Sequence, residues 1–284
     1  MNTNTRNKMD PFRIAVLDLY QGEANQGMRG IQSIIESWSE QKGVRTQVDY
    51  FDVRIKKQIP DLSHDAYISS GGPGGPLDSR YEDWDVAWCQ WLDQLNRWNQ
   101  HASQGQEKHI FFICFSFQLA CRFFSIGVVC KRRSTSFGVF PVSQTEEGKQ
   151  EVIFDGLKNP FYAVDHRDYQ LIHPNLERIK EMGARLLCLE KERSHVPYER
   201  AVMAVRFNAH MIGTQFHPEA DPQGMTHYLN QDDKRKTVIG KHSEEKLKSM
   251  LADLQDPSKI HWTKSRVLPN FLDKAYQELT SKPI

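Results

Sequence analysis

The chain has 284 residues, 39% of them hydrophobic and 26% charged, with a formal net charge of +1. That length suits one main domain with an appendage, and the near-neutral charge provides no general field for attracting nucleic acid. No apolar run approaches the ~20 residues needed to cross a bilayer, and the polar start Met1–Asp10 lacks the apolar core of a signal peptide.

Residues 1–12 are polar and predict a disordered start. Arg13-Ile-Ala-Val-Leu-Asp-Leu19 is then an apolar run of the kind that forms a buried parallel strand. Behind the glycine-bearing loop 22–27, Met28, Ile31, Ile34, Ile35 and Trp38 recur at helical spacing, and Arg45–Val53 reads as a second strand. A third strand, Ala66–Ser70, runs into Gly71-Gly-Pro-Gly-Gly-Pro76. In the helix that follows, Trp84, Trp88, Trp91, Leu95 and Trp98 share one side, a pattern more simply read as a core face than as a cofactor box.

His109-Ile-Phe-Phe-Ile-Cys114 is an apolar strand that passes straight into the helical pattern Gln118–Phe124. From Val128 to about Phe216 short strands and turns take over, at 138–142, 151–154, 162–164, 186–189 and 201–207. After Asp221 helices are expected at 222–230, 243–254 and 268–279. The order predicts an α/β fold: a flavodoxin-like, doubly wound, mostly parallel sheet over residues 13–222, with antiparallel additions and a helical extension over 223–284. The extension is long enough to cap the domain or to form a homodimer contact, with Trp262, Leu268, Phe271, Leu272 and Tyr276 supplying apolar surface.

A nucleophile at the tip of a strand, where a helix begins, stands above the sheet beside helix N-terminal N–H groups that stabilise a thiolate and an oxyanion. Cys114 occupies such a corner. A lone cysteine there is more often a small buried hydrophobe, so the reading needs a partner. Ile212-Gly-Thr-Gln-Phe-His-Pro-Glu-Ala220 supplies one: His217 follows a strand, Pro218 keeps it extended, and Glu219 reaches back to the imidazole.

Taken together, three segments resemble the class I glutamine amidotransferases, including the glutaminase portion of GMP synthase. Ser70-Gly-Gly-Pro73 is similar to the family's oxyanion loop, Cys114-Phe-Ser-Phe-Gln118 to its nucleophile elbow, and Gly213-Thr-Gln-Phe-His-Pro-Glu219 to its base segment. The resemblance implies hydrolysis of the glutamine side-chain amide, with Cys114 as nucleophile, His217 as base and Glu219 orienting the imidazole. It implies an oxyanion hole from the N–H groups of Gly72 and Phe115, and substrate contacts from Gly71, Gln118, His166 and Asp168. It further implies a thioester intermediate and ammonia release to a separate acceptor enzyme. A γ-glutamyl peptide or other amide in place of glutamine, and a non-catalytic regulatory or scaffold protein on the same fold, are the alternatives. The sequence departs from the family pattern at four places: Phe112 and Ser116 stand where the elbow has glycine, Phe117 where it has histidine, and Ser136 where glutamate is frequent.

Other features point away from cofactors, metals and nucleic acid. The 71–76 loop lacks the lysine and hydroxyl residue of a phosphate-binding loop. Lys131-Arg-Arg133 and Asp232-Asp-Lys-Arg-Lys236 read as solvated surface. His64, His101, His166, His173, His195, His210 and His242 show no metal-ligand spacing. The five cysteines, without a C-x-x-C pair, suit free thiols in the cytoplasm.

Overall fold

The structure, a computed structural model, describes residues 10–23, 25–193 and 197–280. Most of the expected disordered start, and His195, lie outside those residues. The first strand, β1 (Phe12–Asp18), takes in Phe12 and feeds helix α1 (Gln26–Lys42). Asn25 caps that helix by accepting from the Met28 N–H, and Gly43 ends it in the left-handed conformation. β2 (Thr46–Asp52) and β3 (Ala66–Ser69) follow, then α2 (Asp83–His101), β4 (His109–Ile113) and α3 (Phe115–Phe123).

A long β5 (Val128–Gln144) replaces the short strand expected near 138–142, and it pairs with β6 (Phe161–Ile172) across a register shift between Lys131 and Ser136. Between them lie the short helix α4 (Glu146–Lys149) and a 3-10 turn at Val152–Phe154, where a strand was expected. The reason is Glu151: its buried carboxylate accepts hydrogen bonds from Arg206 at 2.5 and 2.7 Å, which draws the segment into a turn under the sheet. Next come α5 (Leu176–Met182), β7 (Arg185–Glu190), β8 (Val202–Asn208) and β9 (Met211–Thr214). The remaining helices are α6 (Pro222–Leu229), α7 (Asp232–Lys241), α8 (Glu244–Gln255) and α9 (Ile260–Thr280). α7 contains the charge run that the sequence marks as surface, and α9 begins eight residues before the expected Leu268.

The strands form one sheet in the order β2-β1-β3-β4-β9-β8-β7-β5-β6. The pairings from β2 through β9 are parallel and those from β9 to β6 antiparallel, which is the flavodoxin-like, doubly wound arrangement with antiparallel additions. Period-two alternation sends Ile14, Val16, Ile68, Phe111 and Ile113 to one face and Leu17, Tyr67, Ile110 and Phe112 to the other. α2 and α3 cover the second face; α1 and α9 cover the first.

Trp84, Trp88, Trp91 and Leu95 are buried in that second face as expected, but Trp98 is 42% exposed and its indole donates to the Gln106 carbonyl. In α9, Val267, Leu268, Phe271, Leu272 and Ala275 are buried against the sheet, and Trp38 donates to Asp273 at 3.0 Å. α6, α7 and α8 form a smaller apolar cluster with Val139 and Val164, over the carboxyl ends of the parallel strands. No helix among the described residues is long and apolar enough to cross a membrane.

Candidate active site

β4 stops at Ile113 and α3 starts at Phe115, so Cys114 takes the whole change of direction, with φ 47° and ψ −94°. A non-glycine residue at positive φ is held there only by its surroundings. Two anchors are visible. The Cys114 N–H donates to the Thr214 carbonyl at 2.8 Å. The buried Ser116 hydroxyl accepts from the Ile113 N–H at 2.9 Å and donates to the Ser69 carbonyl at 2.6 Å, tying the corner to the end of β3. By its position at the first turn of α3, the Phe115 N–H belongs to the set that helix geometry leaves without an intrahelical acceptor.

His217 follows β9 and is fixed by its own N–H, which donates to the Val164 carbonyl of β6 at 2.9 Å. Its Nδ1 lies 2.7 Å from Glu219 Oε1, and the ring stands close enough to Cys114 to feel the charge of its sulfur. Burial alone pushes the imidazole pKa down. The negative charges of Glu219 and Cys114, with the hydrogen bond to Glu219, outweigh burial and hold it well above the ordinary histidine value. Glu219 is 1% exposed, and its Oε2 is buried without a hydrogen-bond partner among the described residues, so its charge is directed at the ring. α1 approaches this segment at Gly30, where a Cβ would lie 2.1 Å from the Glu219 carbonyl oxygen. Only glycine permits that contact.

The other residues singled out in the sequence fall around this pair. A Cβ on Gly71 would lie 3.0 Å from His217 Cε1 and 3.7 Å from Cys114 Cβ, so this position fronts both. Gly72 is constrained from the other side, since its Cβ would meet the Leu19 carbonyl at 2.3 Å. Gln118 is buried, and its amide nitrogen donates to the Tyr169 carbonyl and to Gln215 Oε1. His166 contributes its carbonyl, 3.7 Å from the Cys114 sulfur, and its ring meets the edge of Phe137. Asp168 lines the same cavity and accepts a hydrogen bond from Thr135.

Two residues that the motifs did not single out complete the surroundings. The Gln215 amide nitrogen lies 3.5 Å from the Cys114 sulfur, which makes a relay from Gln118 through Gln215 to the thiol. The signal for it in the sequence was its place inside the segment Gly213-Thr-Gln-Phe-His-Pro-Glu219, two residues before His217. Tyr20 closes the opposite wall, its hydroxyl facing Gly71 and Gly27. Burial, then the charges of Glu219 and Cys114, push that phenol well above its usual pKa and keep it a donor.

These groups open into a cavity of about 610 Å³. Its floor is Cys114, Phe115 and His217; its roof is Tyr228, Leu229, Val238, Lys241 and His242 from α6, α7 and the residue after α7, with Met250 of α8. The ring of Phe137 stacks on His242 at 4.9 Å and thus joins roof to floor.

Residues 28–234 match the family described as glutamine amidotransferase class-I. No curated protein matches the chain. Among solved structures, a glutamine amidotransferase from Thermotoga maritima is similar at 13% identity with a TM-score of 0.68, over 96% of this chain and 100% of that one. A protein from Thermoplasma acidophilum, described as a putative GMP synthase subunit, is similar at 17% identity and a TM-score of 0.55, over 94% of this chain and 96% of its own. The glutaminase domain of a Trypanosoma brucei CTPS, with bound acivicin, is similar at 17% identity and a TM-score of 0.55, each chain covered to 96%. At these identities the likeness concerns the fold.

Proposed function

Because the chain belongs to the class I glutamine amidotransferases, we propose that it hydrolyses a side-chain γ-amide through Cys114, His217 and Glu219. The observation that carries this reading is the hydrogen bond of His217 Nδ1 with Glu219 Oε1 at 2.7 Å, on a ring that shares with Cys114 the contact at Gly71. Two segments far apart in sequence meet there at the carboxyl ends of the adjacent strands β4 and β9.

In the proposed reaction His217 takes the thiol proton and the sulfur attacks the amide carbon. The carbonyl oxygen becomes an oxyanion, held by the N–H groups of Gly72 and Phe115. The imidazolium, stabilised by Glu219, returns its proton to the amide nitrogen, and the C–N bond breaks to give ammonia and a thioester. Water, deprotonated by His217, then attacks the thioester, releasing a carboxylate and restoring the thiol. Tyr20 and the Gln118–Gln215 pair surround the sulfur, Gly71 fronts Cys114 and His217, and His166 and Asp168 line the cavity that receives the substrate. Ammonia passes to a separate acceptor enzyme.

The test is covalent trapping. A glutamine-analogue electrophile should add one equivalent to Cys114, located by peptide mass spectrometry, and ammonia release from glutamine should disappear in Cys114→Ala and His217→Ala. Unchanged ammonia release in both variants would overturn the assignment.

The size of the cavity favours a second substrate within the same chemistry. About 610 Å³ falls in the range that holds ligands of drug size, roughly 300–1,000 Å³, and the roof extends well past the sulfur. A γ-glutamyl compound, with its leaving group under Val238, Lys241 and His242, fills more of that space than glutamine does. Comparing kcat/KM for γ-glutamyl peptides and for glutamine separates the two.

A further inference from the structure

At the opposite end of β4 from Cys114 stands a cluster that takes no part in this chemistry. His109 opens β4, His210 sits in the turn between β8 and β9, and Glu278 lies in the last turn of α9. The strand between His109 and Cys114 spans about 17 Å at ~3.3 Å per residue, so the two sites are separate. No short-range spacing in the sequence links positions 109, 210 and 278; the fold alone joins them.

We propose that His109, His210 and Glu278 bind a divalent transition-metal ion that clamps the end of α9 to the sheet. His109 Nε2 lies 3.2 Å and His210 Nδ1 3.5 Å from Glu278 Oε2. All three donor atoms lie within 4.8 Å of one another. Tetrahedral zinc, with ligand bonds of about 2.0–2.2 Å, sets its ligand atoms about 3.3 Å apart, close to the two measured separations. The two rings meet edge to face at 5.0 Å, which turns both toward the carboxylate.

An ion pair alone leaves one feature unexplained. Among the described residues His210 Nδ1 is buried without a hydrogen-bond partner, because its approach to Oε2 does not satisfy hydrogen-bond geometry. A lone pair so placed is a ligand awaiting a cation. Two imidazole nitrogens and one carboxylate oxygen form a donor set that suits zinc. Glu278 is partly exposed, so solvent reaches the site and supplies the fourth ligand. Lys274 hydrogen-bonds Glu278 Oε1, which orients the carboxylate and leaves Oε2 for the metal. Its positive charge also opposes a cation, so the affinity is moderated rather than maximal.

The experiment uses the full chain carrying Cys114→Ser, so that the reactive thiol does not itself take up the ion, after stripping with a chelator. Titration with Zn²⁺ in a calorimeter should show one equivalent bound, with a rise in melting temperature. His210→Ala, placed in a turn where the fold tolerates it, should weaken binding at least tenfold, as should Glu278→Gln. Lys274→Ala should tighten binding severalfold, although it removes an ion pair. A purely structural ion-pair cluster predicts the opposite: no Zn²⁺ bound below about 1 mM, and no gain in Lys274→Ala. Zinc binding that persists unchanged in both His210→Ala and Glu278→Gln would likewise overturn the proposal. Co²⁺ in place of Zn²⁺ gives a visible spectrum that reports nitrogen and oxygen ligation even if a variant is destabilised.

Discussion

Phe112 of β4 stands directly across from Gly213 of β9, and a Cβ on that glycine would lie 2.9 Å from Phe112 Cβ and 3.0 Å from the Phe112 carbonyl oxygen. The corner at Cys114 thus keeps the room that a glycine before the nucleophile would give, with the glycine moved to the neighbouring strand. The Phe112 ring is accommodated between Trp88 and Phe207 at 5.8 and 5.7 Å.

Gly213→Ala should therefore destabilise the fold by about 1–3 kcal/mol, the usual result of overpacking a core whose backbone cannot retreat. Urea unfolding followed by tryptophan fluorescence measures it. An unchanged midpoint would show that β4 and β9 are not held at this separation.

Glu219→Gln should act on rate and on pH dependence together. The carboxylate charge helps hold the His217 pKa above its ordinary value, so the imidazolium persists until pH rises through that raised value. With the charge removed, protonation is lost at lower pH. The alkaline limb of kcat/KM should move downward, and the rate at neutral pH should fall on the order of 10²-fold. A lower rate with an unmoved limb would mean that Glu219 orients the ring without stabilising its charge.

Thiol labelling should single out the corner. Burial, with the charge of Asp85 next, pushes the Cys89 thiol up to about 11. Burial holds Cys121 and Cys188 well above the usual thiol range. Near pH 8 these three stay protonated, and iodoacetamide should modify Cys114 well before any of them. Peptide mapping after short exposure reads the order, and equal labelling of Cys114 and Cys121 would count against an activated sulfur.

Phe271→Ala should cost about 3–5 kcal/mol, as expected for a large aromatic removed from a core. Its ring is buried and meets Phe111 edge on at 5.3 Å, beneath the strand that carries Cys114. Trp262→Ala, on the 43% exposed face of the same helix, should change stability by no more than about 0.5 kcal/mol. Equal effects from the two would deny that α9 is a layer of the domain.

The parallel half of the fold was readable because β1, β3 and β4 are each a short apolar run followed by a helix with its own apolar face. The corner at Cys114 and the His217–Glu219 segment were readable for a related reason: each is set by local backbone, and local backbone leaves local signals. What could not be read depends on distant partners. Glu151 turns its segment away from a strand only because Arg206 waits on β8. Asp232–Lys241 forms a helix although its pattern is polar nearly all round, because neighbouring helices shelter its single buried residue, Val238. Tyr20 and Gln215 carry no motif of their own, and what marks them is proximity to the sulfur.

The Phe12 ring lies against Tyr276 at 5.5 Å and against Trp38 at 5.7 Å, so the first strand shares an aromatic cluster with the last described helix. During synthesis the strand and α1 emerge long before residues 260–280, and one apolar face of the parallel strands then has only part of its cover. The nascent polypeptide must carry that sticky surface until residues 260–280 have emerged. Chaperone demand during synthesis should therefore be set by the arrival of α9, a helix that lines no part of the cavity at Cys114.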